Sequence, residues 1–121
     1  MNIRKIELNG VVIAVVEGSE KLITDVQSAL ELIAAVQYES GSNRIIVEKR
    51  AVADEFFILS NGLAGQVLQK FINYHTKLAV VGNYSQYTSK PFHDFIYESN
   101  RGRDVFFVGT EEEAVQRLSR A

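Results

Sequence analysis

The stretch that decides the fold is Glu7 to Val16, which reads ELNGVVIAVV. Asn9-Gly10 is the residue pair that most readily takes the positive φ angles of a type I′ turn, so the flanking residues are predicted to pair as a hairpin. Residues 11–16 are apolar throughout, whereas a strand with one face in water would alternate. The sequence therefore predicts an N-terminal hairpin whose second strand lies centrally in a sheet covered on both faces.

Helix and strand patterns alternate after this hairpin. Thr24 and Gln27 have capping-box spacing and predict a first helix over roughly residues 24–38, which ends before Gly41. Residues 51–60 follow neither period and are either a covering loop or a brief extended piece. Thr110 and Glu113 form a second capping-box pattern at the start of a last helix.

The remaining elements are short and apolar. Further strands are predicted at 45–47, 78–81 and 105–108, and further helices at 63–72 and from Pro91 onward. The order predicts an α/β fold with a mixed five-stranded sheet and about four helices, in a single domain over residues 1–121.

Composition excludes several classes of protein. Thirteen Lys and Arg against fifteen Asp and Glu give a net charge of -2, which disfavours nucleic acid as a partner. The chain has no cysteine, so disulfides and thiolate metal sites are absent. No apolar segment has membrane-spanning length and the N-terminus lacks a leader pattern, so we expect a cytoplasmic protein without membrane insertion.

Motifs that carry chemistry are absent. The sequence has no P-loop, dinucleotide fingerprint, nucleophile elbow or clustered metal ligands. It therefore predicts a protein that is not an enzyme and that has no cofactor and no metal site. Lys49, Arg50, Arg101 and Arg103 are interpreted as solvated turn charges, and His75 as a structural residue near a helix end.

Two polar loops lead into predicted helix N-termini, where free N–H groups favour anions. If both open on one edge of the sheet, their side chains converge on a shared ligand or partner. The alternative is that Ser60 and Ser89 only cap helices. The candidate binding residues are Ser60, Asn61, Gly62, Asn83, Tyr84, Tyr87, Thr88, Ser89, Lys90 and His93.

Residues 57–65 and the order of elements around them resemble the STAS domain of anti-sigma-factor antagonists. The hallmark of that domain reads Asp-Ser-Ser-Gly-Leu-Gly, and its first five positions fall on Leu59, Ser60, Asn61, Gly62 and Leu63. The resemblance implies a STAS-like fold and makes Ser60 a candidate phosphosite. Leu59 replaces the aspartate of the hallmark.

Nearly the whole chain also resembles a bacterial family known as a domain of unknown function, of the DUF4180 type. The segments that carry this resemblance are Gly62 to Gly65, Leu68 to Phe71, Tyr87 to Lys90 and Asp94 to Asn100. This resemblance implies the fold and brings no activity with it.

These observations support two hypotheses of function. In the first, the protein is a non-enzymatic regulatory module that presents Ser60 and the 83–90 loop to a protein partner, with phosphorylation as an optional switch. In the second, the same rim binds a small anionic ligand through Lys90 and backbone N–H groups, with Tyr84 or Tyr87 against its body. A homodimer is compatible with either hypothesis.

Overall fold

A computed structural model describes residues 1–121 and contains one five-stranded sheet with the strands in chain order. β1 is antiparallel to β2, and the other neighbouring strands are parallel. The predicted α/β class, the mixed five-stranded sheet and the four helices are confirmed. The strands are β1 (Asn2–Leu8), β2 (Val11–Glu17), β3 (Arg44–Glu48), β4 (Lys77–Val81) and β5 (Val105–Val108), and the helices are α1 (Val26–Ser40), α2 (Leu63–Asn73), α3 (Lys90–Arg101) and α4 (Glu111–Arg120).

The N-terminal hairpin forms as the sequence predicts. Asn9 and Gly10 have φ angles of 54° and 78°, which are the values that a type I′ turn requires. β2 pairs with β1 on one side and β3 on the other, and its residues 13–16 are buried. The uninterrupted apolar run therefore corresponds to an interior strand with both faces covered.

The start of α1 differs from the prediction. Asp25, and not Thr24, is the N-cap: the Asp25 carboxylate accepts a hydrogen bond from the Ser28 backbone N–H at 2.8 Å. The Ser28 hydroxyl in turn accepts one from the Asp25 N–H at 3.1 Å, so the reciprocal box lies one residue later than Thr24 and Gln27. The predicted end is confirmed, because Gly41 takes a left-handed conformation with a φ of 72°.

The region between β3 and α2, which the sequence left open, is a covering segment of three 3₁₀ turns. The turns are Lys49–Ala51, Asp54–Phe57 and Leu59–Asn61. Phe56 and Phe57 are buried in it and join the larger core, which explains why the apolar residues of this region follow neither helical nor strand spacing.

The two faces of the sheet are covered unequally. A core of 21 buried residues lies on the face covered by α1, α2, α3 and the covering segment. A core of 8 buried residues lies on the other face, where Ala114 and Leu118 of α4 pack on the strands. None of the four helices has both the length and the apolar character that crossing a membrane requires.

The two strands at the ends of the sheet, β1 and β5, protect their outer edges in different ways. The exposed residues of β1 include Arg4, Lys5 and Glu7, and charged side chains of this kind discourage pairing with another strand. At β5 the Asn100 side chain of α3 occupies the edge: its amide donates to the Phe107 carbonyl at 3.0 Å and accepts from the Phe107 N–H at 2.8 Å. The backbone of Phe107 is therefore satisfied on its outer side.

Candidate functional site

Both predicted polar loops follow parallel strands, so they open at the same edge of the sheet. The covering segment follows β3 and ends in a serine turn, residues 59–62, whereas a tyrosine loop, residues 83–89, follows β4 and leads into α3. The carboxyl edge of a parallel sheet is where ligands of open α/β folds usually bind.

Ser60 does not cap α2, contrary to one of the two interpretations of this residue. The N-cap of α2 is Gly62, whose φ of 77° is accessible mainly to glycine. Asn61 takes the capping role instead, because its side-chain oxygen accepts from the Leu63 N–H at 2.9 Å while its amide donates to the Glu55 carbonyl at 2.8 Å. The Ser60 hydroxyl is exposed and makes no hydrogen bond within the chain.

The tyrosine loop is anchored to the core by its first tyrosine. The Tyr84 hydroxyl donates to the Val80 carbonyl at 2.8 Å, and burial raises the pKa of this phenol well above its usual range, with a smaller contribution from Tyr87. Asn83 closes the start of the loop by accepting from the Ser85 N–H at 2.9 Å. At its end the Ser89 hydroxyl accepts from the Phe92 N–H at 3.3 Å, which confirms Ser89 as the cap of α3.

Aromatic contacts join the covering segment to the tyrosine loop. The ring centroid of Phe57 lies 6.2 Å from that of Tyr84, 5.6 Å from that of Tyr87 and 6.1 Å from that of Phe92. Tyr87 in turn stacks on Phe92 at 4.3 Å. Each such pair stabilises the fold by roughly 0.5–1.5 kcal/mol beyond the burial of its area. These ring contacts therefore hold the covering segment and the tyrosine loop together.

Lys49 completes this aromatic cluster, so the prediction that it is a solvated turn charge is wrong. Its ammonium lies 4.9 Å from the ring centroid of Phe57 and 4.9 Å from that of Tyr87. A cation over two ring faces is attracted by both, so Lys49 bridges the covering segment and the tyrosine loop. No sequence signal distinguishes it from its exposed neighbour Arg50.

Two further predicted residues, Lys90 and His93, lie in the first turn of α3 and make contacts beside the tyrosine loop. The Lys90 ammonium donates to the Asp94 carboxylate at 2.7 Å, and this hydrogen bond raises the pKa of Lys90. Nε2 of His93 lies 2.7 Å from the Tyr87 carbonyl and ties the loop to α3. Lys90 is thus already paired with a carboxylate, which leaves it less free to hold an anion.

The structure therefore brings the predicted residues together in part. Tyr84, Tyr87 and His93 contact one another or the same aromatic cluster, and Phe57 of that cluster lies three residues before Ser60. Thr88 is exposed, whereas Asn61, Gly62, Asn83 and Ser89 build the local turns. No hydrogen bond joins the Ser60 side chain to Lys90, whose ammonium is bonded to Asp94.

Tyr84 and His93 also line a solvent-open cavity of about 470 Å³ along α3, at the edge of the sheet where Arg117 of α4 reaches α3. Its apolar lining is Tyr84, Phe92, Ile96 and Tyr97, and its polar lining is His93, Asn100, Arg101 and Arg117. The sequence interpretation missed the two arginines. For Arg101 a signal existed, because it follows Tyr97 by four residues and His93 by eight and so lies on the same face of α3.

A comparison with family models identifies the family of this chain. The model of a family described as a domain of unknown function, DUF4180, matches residues 8–118, and the predicted resemblance to it is confirmed. Among solved structures, a Thermotoga maritima protein described as a candidate anti-sigma factor antagonist is 18% identical, with 96% of this chain and 93% of that chain covered and a TM-score of 0.45. No match was found among curated proteins.

Proposed function

The chain belongs to the DUF4180 family, and from that premise we propose that it is a non-enzymatic regulatory module that binds a partner protein through the rim formed by the serine turn and the tyrosine loop. The observation that carries this proposal is the aromatic cluster, in which Phe57 contacts Tyr84 and Tyr87 and so fixes the two loops relative to each other. A surface that is already ordered loses little conformational entropy when a partner binds.

The chemistry of the rim fits a protein surface. Ile58, which immediately precedes the serine turn, is 53% exposed, although isoleucine is usually buried. Ser60 of the serine turn and Ser85 and Thr88 of the tyrosine loop are exposed and supply hydroxyl groups on the same rim. An apolar anchor ringed by polar groups is the usual composition of the centre and border of a protein interface.

Phosphorylation of Ser60 would act as the switch of this module. The hydroxyl is exposed and unbonded, so a kinase could reach it without disrupting α2. The phosphate would add nearly two negative charges beside exposed Asp54 and Glu55. We expect this change to release a partner that packs on Ile58.

Photo-crosslinking in the native cell tests the proposed interface. A benzoylphenylalanine at position 58 should yield one dominant adduct with a second protein, which mass spectrometry of the adduct identifies. The matched control is position 38 on α1, where Tyr38 is 91% exposed and outside the rim. The same adducts at both positions, or none at position 58, would contradict an interface at the rim.

The switch is tested separately from the interface. Ser60→Asp should lower the yield of the position-58 adduct several-fold relative to Ser60→Ala, because only aspartate adds negative charge to the turn. Intact mass of the native protein should show a phosphorylated fraction under some growth condition. An unmodified Ser60 under every condition would remove the switch and leave the interface standing.

A further inference from the structure

The cavity along α3 has the size and composition of a small-molecule site. Its volume of about 470 Å³ falls within the roughly 300–1,000 Å³ typical of ligand pockets. Four of its eight lining residues are hydrophobic, so a ligand could pack an apolar body against its wall. It adjoins the rim at Tyr84 and continues along α3.

The polar lining of this cavity is rich in hydrogen-bond donors and lacks carboxylates. Arg101 and Arg117 line it, and neither is part of an ion pair. The Arg101 guanidinium lies 5.4 Å from the Tyr97 ring centroid, an arrangement that leaves its hydrogen-bond donors free. Two positive charges therefore share one cavity with no negative charge in its wall.

Arg117 is held in place by the protein. Its Nη1 donates to the Asn100 carbonyl at 2.6 Å, and its guanidinium lies 5.5 Å from the ring centroid of Phe106. These two contacts fix the plane of the group while only one of its nitrogens is hydrogen-bonded to the chain. A guanidinium positioned in this way is prepared to bind a planar carboxylate with two parallel hydrogen bonds.

We propose that this cavity binds an organic carboxylate with an aromatic or branched apolar body. The carboxylate pairs with Arg101 and Arg117, and the body packs against Phe92 and Ile96. A bare inorganic anion would leave that apolar wall unoccupied, so the body is part of the recognition. The residues that would hold this ligand lie on α3 and α4 and not in the rim, so the site does not depend on the proposed partner interface. The experiment below accordingly uses only the isolated protein.

A probe and its neutral analogue test the site. Titration of the isotope-labelled protein with 2-naphthoate, followed by two-dimensional NMR, should shift the signals of Ile96, Asn100 and the Arg117 side chain in a saturable way. The neutral 2-naphthamide and inorganic phosphate should both bind far more weakly. Arg101→Gln should weaken naphthoate roughly fivefold to tenfold and reduce its advantage over naphthamide.

The matched control is Arg103→Gln. It also removes one positive charge, but Arg103 lies two residues beyond Arg101 and does not line the cavity. It should leave naphthoate affinity unchanged, and both variants should unfold at the denaturant concentration of the parent. The proposal is wrong if naphthoate and naphthamide bind equally, if Arg101→Gln and Arg103→Gln behave alike, or if the shifted signals lie outside the cavity.

Discussion

Gly82 is the residue that gives Lys49 its place over the aromatic rings. A Cβ atom at position 82 would lie 2.5 Å from the Lys49 Cβ, a distance that real Cβ atoms essentially never show. The contact involves the base of the lysine side chain, so rotation of its far end would not relieve it. The requirement at position 82 is therefore one of space, since the φ of Gly82 is not positive.

Gly82→Ala should lower the free energy of unfolding by about 1–3 kcal/mol, the usual range for overpacking a closed site. Urea denaturation followed by circular dichroism measures it. The control is Gly65→Ala in α2, where the added methyl meets nothing within 4 Å and should stabilise by up to about 1 kcal/mol. Equal effects of the two substitutions would show that Lys49 is not confined.

Tyr84 should give the protein a pH dependence at the alkaline end. Burial raises its pKa above the ordinary 10.0, so the folded state holds the phenolic proton more tightly than the unfolded chain. This contribution to stability is fully present below about pH 10 and is lost as the pH rises above it. Ultraviolet titration of tyrosinate should show one of the five tyrosines ionising late or only on unfolding.

Tyr84→Phe should remove that late component from the titration. It also removes the hydrogen bond to Val80, which should cost roughly 0.5–1.5 kcal/mol at neutral pH. An identical late component in Tyr84→Phe would assign it to another residue.

At the scale of elements, the sequence predicts what depends on local pattern. The Asn9-Gly10 turn and the Gly41 stop each rest on a backbone preference that neighbouring residues do not override, and the central position of β2 rests on its apolar run. The α1 cap was misplaced by one residue because Thr24 and Asp25 are both good caps, and only the chain path decides between them.

Contacts between distant segments escaped prediction for a different reason. Phe57 contacts Tyr84 and Tyr87 across about thirty residues of chain, and no spacing rule connects residues that far apart. Arg117 likewise reaches the cavity from α4, where its side chain donates to Asn100 of α3. The two residues lie in different helices, so no local spacing predicts that they meet. Tyr84 and Tyr87 were predictable from loop composition and Arg101 from its spacing on α3, whereas Lys49 and Arg117 were not.

One polar side chain, that of Asn100, bonds α3 to the backbone of β5. Asn100→Ala would leave both the N–H and the carbonyl of buried Phe107 without their partner, and we expect a loss of about 2–3 kcal/mol in unfolding free energy. Hydrogen exchange should show faster exchange of the Phe107 amide. Asn73→Ala, which removes only an exposed bond to Gln69, should cost no more than about 0.5 kcal/mol.

At the scale of the molecule, the smaller core depends on a single helix. Leu118 of α4 is fully buried and is one of the 8 buried residues of this core. Few neighbours could therefore move in to fill the space that its removal would leave. Leu118→Ala should cost about 2–5 kcal/mol and keep one cooperative transition, because both cores share the same sheet. Half-buried Val115→Ala should cost clearly less, and two separate transitions would show that the cores unfold independently.

The closed outer side of Phe107 and the charged outer side of β1 have a joint consequence for life in a crowded cell. The Asn100 bonds at Phe107 and the charged side chains of β1 both disfavour the docking of an extended peptide, so growth into fibrils by strand addition is discouraged at both ends of the sheet. This arrangement favours complexes that use loop tips and helix surfaces over complexes that use strand pairing.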